Sequence, residues 1–142
     1  MEISALYRIA REQNIEVLTF PMEKTGSMSI MVEGGTCYIG MDQAVQDGGT
    51  QERVHLAHEL GHCTTGSFYN RYAAVDYRRK HENKADKWAV SKLIPLEALD
   101  QAVADGCSEC WELAERFGVT EDFIRKAVCL YVHGNLATEL YF

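Results

Sequence analysis

Apolar positions recur at helical spacing in the first stretch of the chain. Ile3, Leu6, Tyr7 and Ile9 or Ala10 share one face of a helix expected over Ile3–Gln13. The period then shortens to that of strands. Ile15–Phe20 is strand-like and stops at Pro21, which has no N–H to offer a sheet. Ser27–Val32 and Thr36–Met41 read as two more strands, and Glu33-Gly34-Gly35 between them is a hairpin signal. Asp42–Gly49 is a polar loop. Thr50 is placed to cap a helix running through about Cys63, with Gly66 beyond its end. Ser67–Tyr77 is a loop rich in tyrosine, and Lys80–Leu93 is a helix punctuated by Pro95. Shorter helices are expected at Leu96–Ala104, Ser108–Phe117 and Thr120 to about His133, and the tail from Gly134 to Phe142 is ambiguous. The pattern is α+β: an N-terminal helix, a small three-stranded and mainly antiparallel sheet, then helices. Its 142 residues fit one domain, so residues 1–142 are expected to form a single unit that includes the C-terminal helices, about 96–133.

Composition narrows the classes. With 46% hydrophobic and 25% charged residues, the chain reads as soluble and globular. Its longest apolar runs, such as Ala127–Val132, are far too short to span a bilayer. MEISALYRIAREQN has no apolar h-region, so no secretory signal is expected and cytoplasmic residence is. A formal charge of −7 disfavours nucleic acid as a partner, despite the local cluster Arg71, Arg78, Arg79 and Lys80. The five cysteines, an odd number, suggest free thiols in a reducing compartment. Cys107 and Cys110 form a CxxC without a second pair, and read as helix-start sequence.

The chemistry concentrates in HLAHELGHC, His55–Cys63, which contains the HExxH His58-Glu59-Leu60-Gly61-His62. On a helix, residues i and i+4 lie about 40° apart, one turn up, so His58 and His62 can face a single ion. Glu59 sits about 100° round from His58. It borders the metal face without being the natural ligand, which is the place for a general base. Leu56 and Leu60 fall roughly opposite and would hold the helix on the core. Gly61 is costly inside a helix by up to about 1 kcal/mol, and suggests close approach by another element. Cys63 faces away and suits packing.

A catalytic metal wants a third protein ligand. His55 lies a turn too far along, and a lone His133 near the C-terminus reads as structural or exposed. Glu82 is the stronger candidate, 82 − 62 = 20 residues after the second histidine and early on the next helix, with the adjoining His81 in reserve. Asp86 shares its face and could accept a hydrogen bond from the far nitrogen of a ligand histidine. Ala85 and Ala89 keep that face thin enough for two helices to pack closely.

HExxH followed by a glutamate on a later helix resembles the gluzincin metallopeptidases. More closely, RVHLAHELGHCTTG and ENKADKWAVSKLIPLEAL resemble the metal helix and the glutamate-bearing helix of the ImmA/IrrE family, associated with phages and mobile elements. The likeness runs from roughly Gly35 to Leu130 and includes TCYIGMD and LAERFGVTEDFIRKAV. It implies one Zn2+ on His58, His62 and Glu82, with Glu59 as base. It further implies cytoplasmic cleavage of a partner repressor with a helix-turn-helix domain. The separate regulatory domain of larger members is not expected. Tyr69, Tyr72, Tyr77, Arg71 and Arg78 are each able to stabilise the oxyanion of the transition state. The strand Thr36–Met41 is a candidate edge for an extended substrate.

Two other readings compete. Leu113–Thr120 followed by Glu121–Ala127 has the look of a helix-turn-helix, but its second helix opens with Glu121 and Asp122, unfavourable beside a phosphate backbone. The other is a catalytically silent metal-binding or interaction module of a mobile element. The intact Glu59 argues against it, because a dead site is free to lose its base.

Overall fold

The computed structural model describes residues 1–70 and 72–142, so the expectation for Arg71 lies outside the described residues. The order is α1 (Ile3–Glu12), β1 (Glu16–Thr19), β2 (Ser27–Met31), β3 (Cys37–Met41) and a 3-10 turn (Gln43–Val45). Then come α2 (Thr50–Thr65), α3 (Val75–Leu93), α4 (Leu96–Ala104), α5 (Cys110–Phe117), α6 (Glu121–His133) and α7 (Thr138–Tyr141). The class is α+β, as the hydrophobic pattern requires.

Helix α1 buries Leu6 and Ala10, then turns sharply at Asn14 (φ 56°) to feed β1. The three strands form a sheet in the order β1-β3-β2. β2 and β3 make the expected antiparallel hairpin, closed by Gly34 and Gly35 at φ 95° and 87°, values that glycine adopts without strain. β1, however, pairs with β3 in parallel, so the sheet is mixed rather than mainly antiparallel. The reason lies in burial. Cys37, Ile39 and Met41 of β3 all face the core, and that strand takes the centre. β2 and β1 are left as the two edges, which also removes Thr36–Met41 as a free edge for a substrate.

α2 crosses the inner face of the sheet. Leu56, Ala57 and Leu60 are fully buried against it, as the spacing of the leucines anticipates. The N-terminus of α2 is held by Asp47, whose carboxylate accepts from the backbone N–H groups of Gly49, Gln51 and Glu52. Thr50 is the first helical residue rather than the cap. α2 ends at Gly66 in the left-handed conformation, φ 66°. α3 begins at Val75, earlier than expected, and draws Tyr77 and Arg78 out of the loop onto its first turns. Asp76 in that first turn favours the helix start.

Cys37 and Cys63 are joined by a disulfide, with Sγ–Sγ 2.07 Å and Cα atoms 6.0 Å apart. This corrects the expectation of free thiols at these two positions. The odd count gives parity but not partners, and the crossing of α2 over the start of β3 brings these two within bonding range. Cys107, Cys110 and Cys129 are free. At the C-terminal end, Gly118 (φ 64°) turns the chain between α5 and α6, and the Thr120 hydroxyl caps α6 by accepting from Phe123 N–H at 3.1 Å. Phe123, Ile124 and Ala127 bury one face of α6 in the core. The second helix of the apparent helix-turn-helix is thus a core helix.

α2 and α3 meet at Gly61. A Cβ there would lie 2.9 Å from Ala85 Cα and 3.0 Å from its carbonyl carbon, and closer still to its oxygen. The obstacle is backbone, which cannot swing aside. Gly61→Ala should therefore lower the thermal midpoint of the metal-free protein, by the equivalent of about 1–3 kcal/mol. In an unobstructed helix the same change is stabilising. A midpoint that stays or rises in thermal unfolding would show that the two helices have room to spare.

Candidate metal centre

Four carboxylates and imidazoles converge at the crossing of α2 and α3, in a cleft of about 640 Å³. The two-residue gap between Ser27 and Ser29 on β2, the i, i+4 gap between His58 and His62 on α2, and that between Glu82 and Asp86 on α3 aim these groups at one place. His58 Nε2 is 2.9 Å from Glu82 Oε2, and His62 Nε2 is 3.1 Å from Glu82 Oε1. The two Nε2 atoms are 3.2 Å apart.

The far nitrogens are occupied. His58 Nδ1 faces Asp86 Oδ1 at 2.7 Å, and His62 Nδ1 faces the Ser67 carbonyl at 2.5 Å. With both acceptors on the Nδ1 side, the N–H of each neutral ring sits there, and each Nε2 turns a lone pair inward. His58, His62 and Glu82 each offer one donor atom within 4.8 Å of the others. Ligands at about 2.0–2.2 Å around a tetrahedral ion stand about 3.3 Å apart, which matches this spacing. The donor set therefore fits a divalent metal ion.

Neighbouring groups complete the cleft. The second oxygen of Asp86 takes Lys126 Nζ from α6 at 3.0 Å. The Tyr69 hydroxyl donates to Glu82 Oε1 at 2.8 Å. Glu59 is buried, and its two oxygens accept from Ser27 Oγ at 2.8 Å and Ser29 Oγ at 2.9 Å. His55 reaches Ser27 Oγ through Nδ1 at 2.7 Å.

The charges set the protonation preferences. Burial works against a charged His58, but hydrogen bonds to Asp86 and Glu82 overcome it and raise its pKa to about 10. His62 is raised too: burial opposes its charge, and Glu82 and the Ser67 carbonyl outweigh it. Glu82 and Asp86 are lowered; burial opposes their ionisation, and His58 is the leading group that reverses it. Tyr69 is pushed up to about 12 by burial and by Glu82. His55, by contrast, is lowered by burial.

Of the residues singled out in the sequence, His58, His62, Glu82, Asp86 and Glu59 come together here. So does Tyr69, though its hydroxyl is turned to Glu82. Tyr72 lies exposed in the turn before α3. Tyr77 stands on α3 with its ring 4.4 Å from that of His81, and the buried Arg78 Nε and His81 Nδ1 have no hydrogen-bond partner among the described residues. His133 stacks on Tyr141 at 3.6 Å and does not line the cleft. Sequence reasoning passed over Ser27, Ser29, Ser67 and Lys126. The alternation of Ser27 and Ser29 in a strand was a usable signal, since period two puts both on one face. For Ser67 and Lys126 no local signal exists.

A family profile described as Peptidase_M78, the IrrE N-terminal-like domain, matches residues 10–128. Comparison with curated proteins gave no match.

The pKa pattern predicts opposite pH responses with and without metal. In the metal-free protein, both raised histidines contribute stability that is complete below their ordinary value of 6.5; the share of His58 is lost as pH rises through about 10, and that of His62 is lost as pH rises through its own raised value. The lowered carboxylates act oppositely, losing their contribution as pH falls below their ordinary 3.8 and 4.5. Metal requires deprotonated imidazoles and so binds better at higher pH. The metal-free melting midpoint should fall between pH 6.5 and 10, while the increment from saturating zinc grows as pH rises through the same range. A metal-free midpoint that is flat above pH 6.5 would contradict the assigned ion pairs.

Proposed function

The chain belongs to the IrrE N-terminal-like peptidase family, and from that premise we propose that it is a zinc-dependent endopeptidase acting as one unit across residues 1–142. The carrying observation is the convergence of His58, His62 and Glu82, with the carboxylate of Glu59 beside them. Two imidazoles and a carboxylate suit zinc, whose bound form supplies Lewis-acid activation of water and of a peptide carbonyl.

The chain's own residues supply the rest. Glu59 takes a proton from the attacking water and returns it to the leaving amine. Asp86 holds His58 in the tautomer that turns Nε2 inward, and the Ser67 carbonyl does the same for His62. Among the candidates for stabilising the oxyanion, which were Tyr69, Tyr72, Tyr77, Arg71 and Arg78, we favour Tyr69, whose hydroxyl lies in the cleft. An extended substrate would add to β2, the edge strand that lines the cleft with Ser27, Met28 and Ser29.

Membership of a peptidase family implies a protein substrate. A partner transcriptional repressor with a helix-turn-helix domain is the substrate we propose, on the sequence likeness to phage- and mobile-element-associated enzymes. We also propose cytoplasmic residence. No described helix is long and apolar enough to cross a membrane. Cytosolic thiols are kept reduced, so this location carries with it the opening of the Cys37–Cys63 disulfide in the cell.

Glu59→Gln separates catalysis from metal binding. On the helix-turn-helix repressor encoded beside this chain, wild type should cleave and Glu59→Gln should be slower by about 10²–10⁴-fold. Both should hold one zinc by atomic absorption. Equal rates in the two would defeat the peptidase reading for that substrate.

A further inference from the structure

A carboxylate that moves protons must be held in place, yet Glu59 is buried at 5% exposure on a helix face with no cation bonded to it among the described residues. Its two oxygens are instead divided between two hydroxyls. Ser27 Oγ donates to Oε2 and Ser29 Oγ to Oε1. Each carboxylate oxygen keeps a free lone pair for water, so the pair orients the group without saturating it.

The hydroxyls are themselves directed. A serine hydroxyl has one proton, and Ser27 Oγ stands between Glu59 and His55 Nδ1. An Nδ1–H on His55 donates to that oxygen and leaves the Ser27 proton to Glu59. The ring of His55 lies close against Gly26, at φ 78°, where a Cβ would come within 2.9 Å of the ring's Cε1. The chain at Gly26 is therefore shaped around this imidazole.

Both serines belong to β2. Their side chains point toward α2, whereas Met28 and Ile30 point outward. β2 is also the outer strand along the cleft, with one backbone edge unpaired in the sheet. One strand thus carries the hydroxyls that fix the base and the edge that an extended peptide can join.

We propose that Ser27 and Ser29 are positioning residues that lock Glu59 to the substrate-binding strand, with His55 steering the Ser27 hydroxyl. The proposal rests on the peptidase reading for its effect on rate. Its geometric content stands apart from that reading. A shift of the base along the helix would be a shift against the bound carbonyl, and a misplacement of about 1 Å can cost up to about 10²-fold in rate.

Thr and Val have the same shape and differ by one hydroxyl, and both suit a strand. In the zinc-loaded protein, on a randomised fluorescence-quenched peptide mixture, Ser29→Thr should keep the wild-type kcat. Ser29→Val should lose about 10-fold in kcat, with KM, zinc content and melting midpoint unlike Ser29→Thr by no more than error. Ser29→Ala, which adds no bulk, should reproduce the loss. Crystal structures of the variants give a readout independent of turnover. The Glu59 carboxylate should stay against β2 in Ser29→Thr and turn away in Ser29→Val. Equal kcat for the Thr and Val variants overturns the proposal, as does a Glu59 that is unmoved in Ser29→Val. If the wild-type protein cleaves nothing, the peptidase reading fails, and the position of the carboxylate alone decides the clamp.

Discussion

Two imidazoles on one helix hold an ion weakly unless a third donor reaches them from another backbone, and the missing side chain of Gly61 sets that reach. With Ala85 packed against the bare Cα, α3 runs close enough for Glu82 to touch both His58 and His62. One turn further on, the same approach puts Asp86 behind His58. The elements around this contact serve to keep it. Leu56 and Leu60 fasten α2 to the sheet, Ala89, Val90 and Leu93 fasten α3 to the core, and α6 closes the far side with Lys126 on Asp86.

The packing creates an electrostatic problem that polar groups solve locally. Glu59, Glu82 and Asp86 all stand in or beside a partly buried cleft, where an unpaired charge is expensive. Each is answered differently. Glu82 faces two imidazoles, Asp86 faces His58 and Lys126, and Glu59 has the serine hydroxyls of β2. The metal-facing set is therefore held by attractions that an ion would replace, since the carboxylates Glu82 and Asp86 raise the pKa of His58, and Glu82 that of His62, in its absence. Glu59, by contrast, is held by neutral donors that an incoming ion leaves undisturbed. That division keeps the orientation of Glu59 separate from the loading of the ligands.

Much of this was legible in the chain because it is local. HExxH fixes His58, Glu59 and His62 on one helical register, and ExxxD does the same for Glu82 and Asp86. The glycine at 61 and the alanine at 85 even announced the close crossing. The sheet was half legible: the Gly34-Gly35 hairpin is a two-residue signal, but the parallel pairing of β1 depends on which strand is most buried. The partners of Cys37 and Cys63 were illegible, since a 26-residue separation says nothing until α2 is laid over β3. Tyr77 was misplaced because tyrosines crowd the segment, and their density resembles loop composition although α3 already begins at Val75. The serines of β2 matter through a helix 30 residues away, and Lys126 through one 40 residues away.

The proposed chemistry depends on a single ion seated where the three donors meet. Anomalous diffraction at the zinc edge from crystals of the zinc-loaded protein tests this directly. One peak is expected, about 2.0–2.2 Å from His58 Nε2, His62 Nε2 and a Glu82 oxygen, with Glu59 uncoordinated. A peak bound elsewhere, such as at Cys107 and Cys110, or a site in which Glu59 replaces Glu82 as ligand, would contradict it.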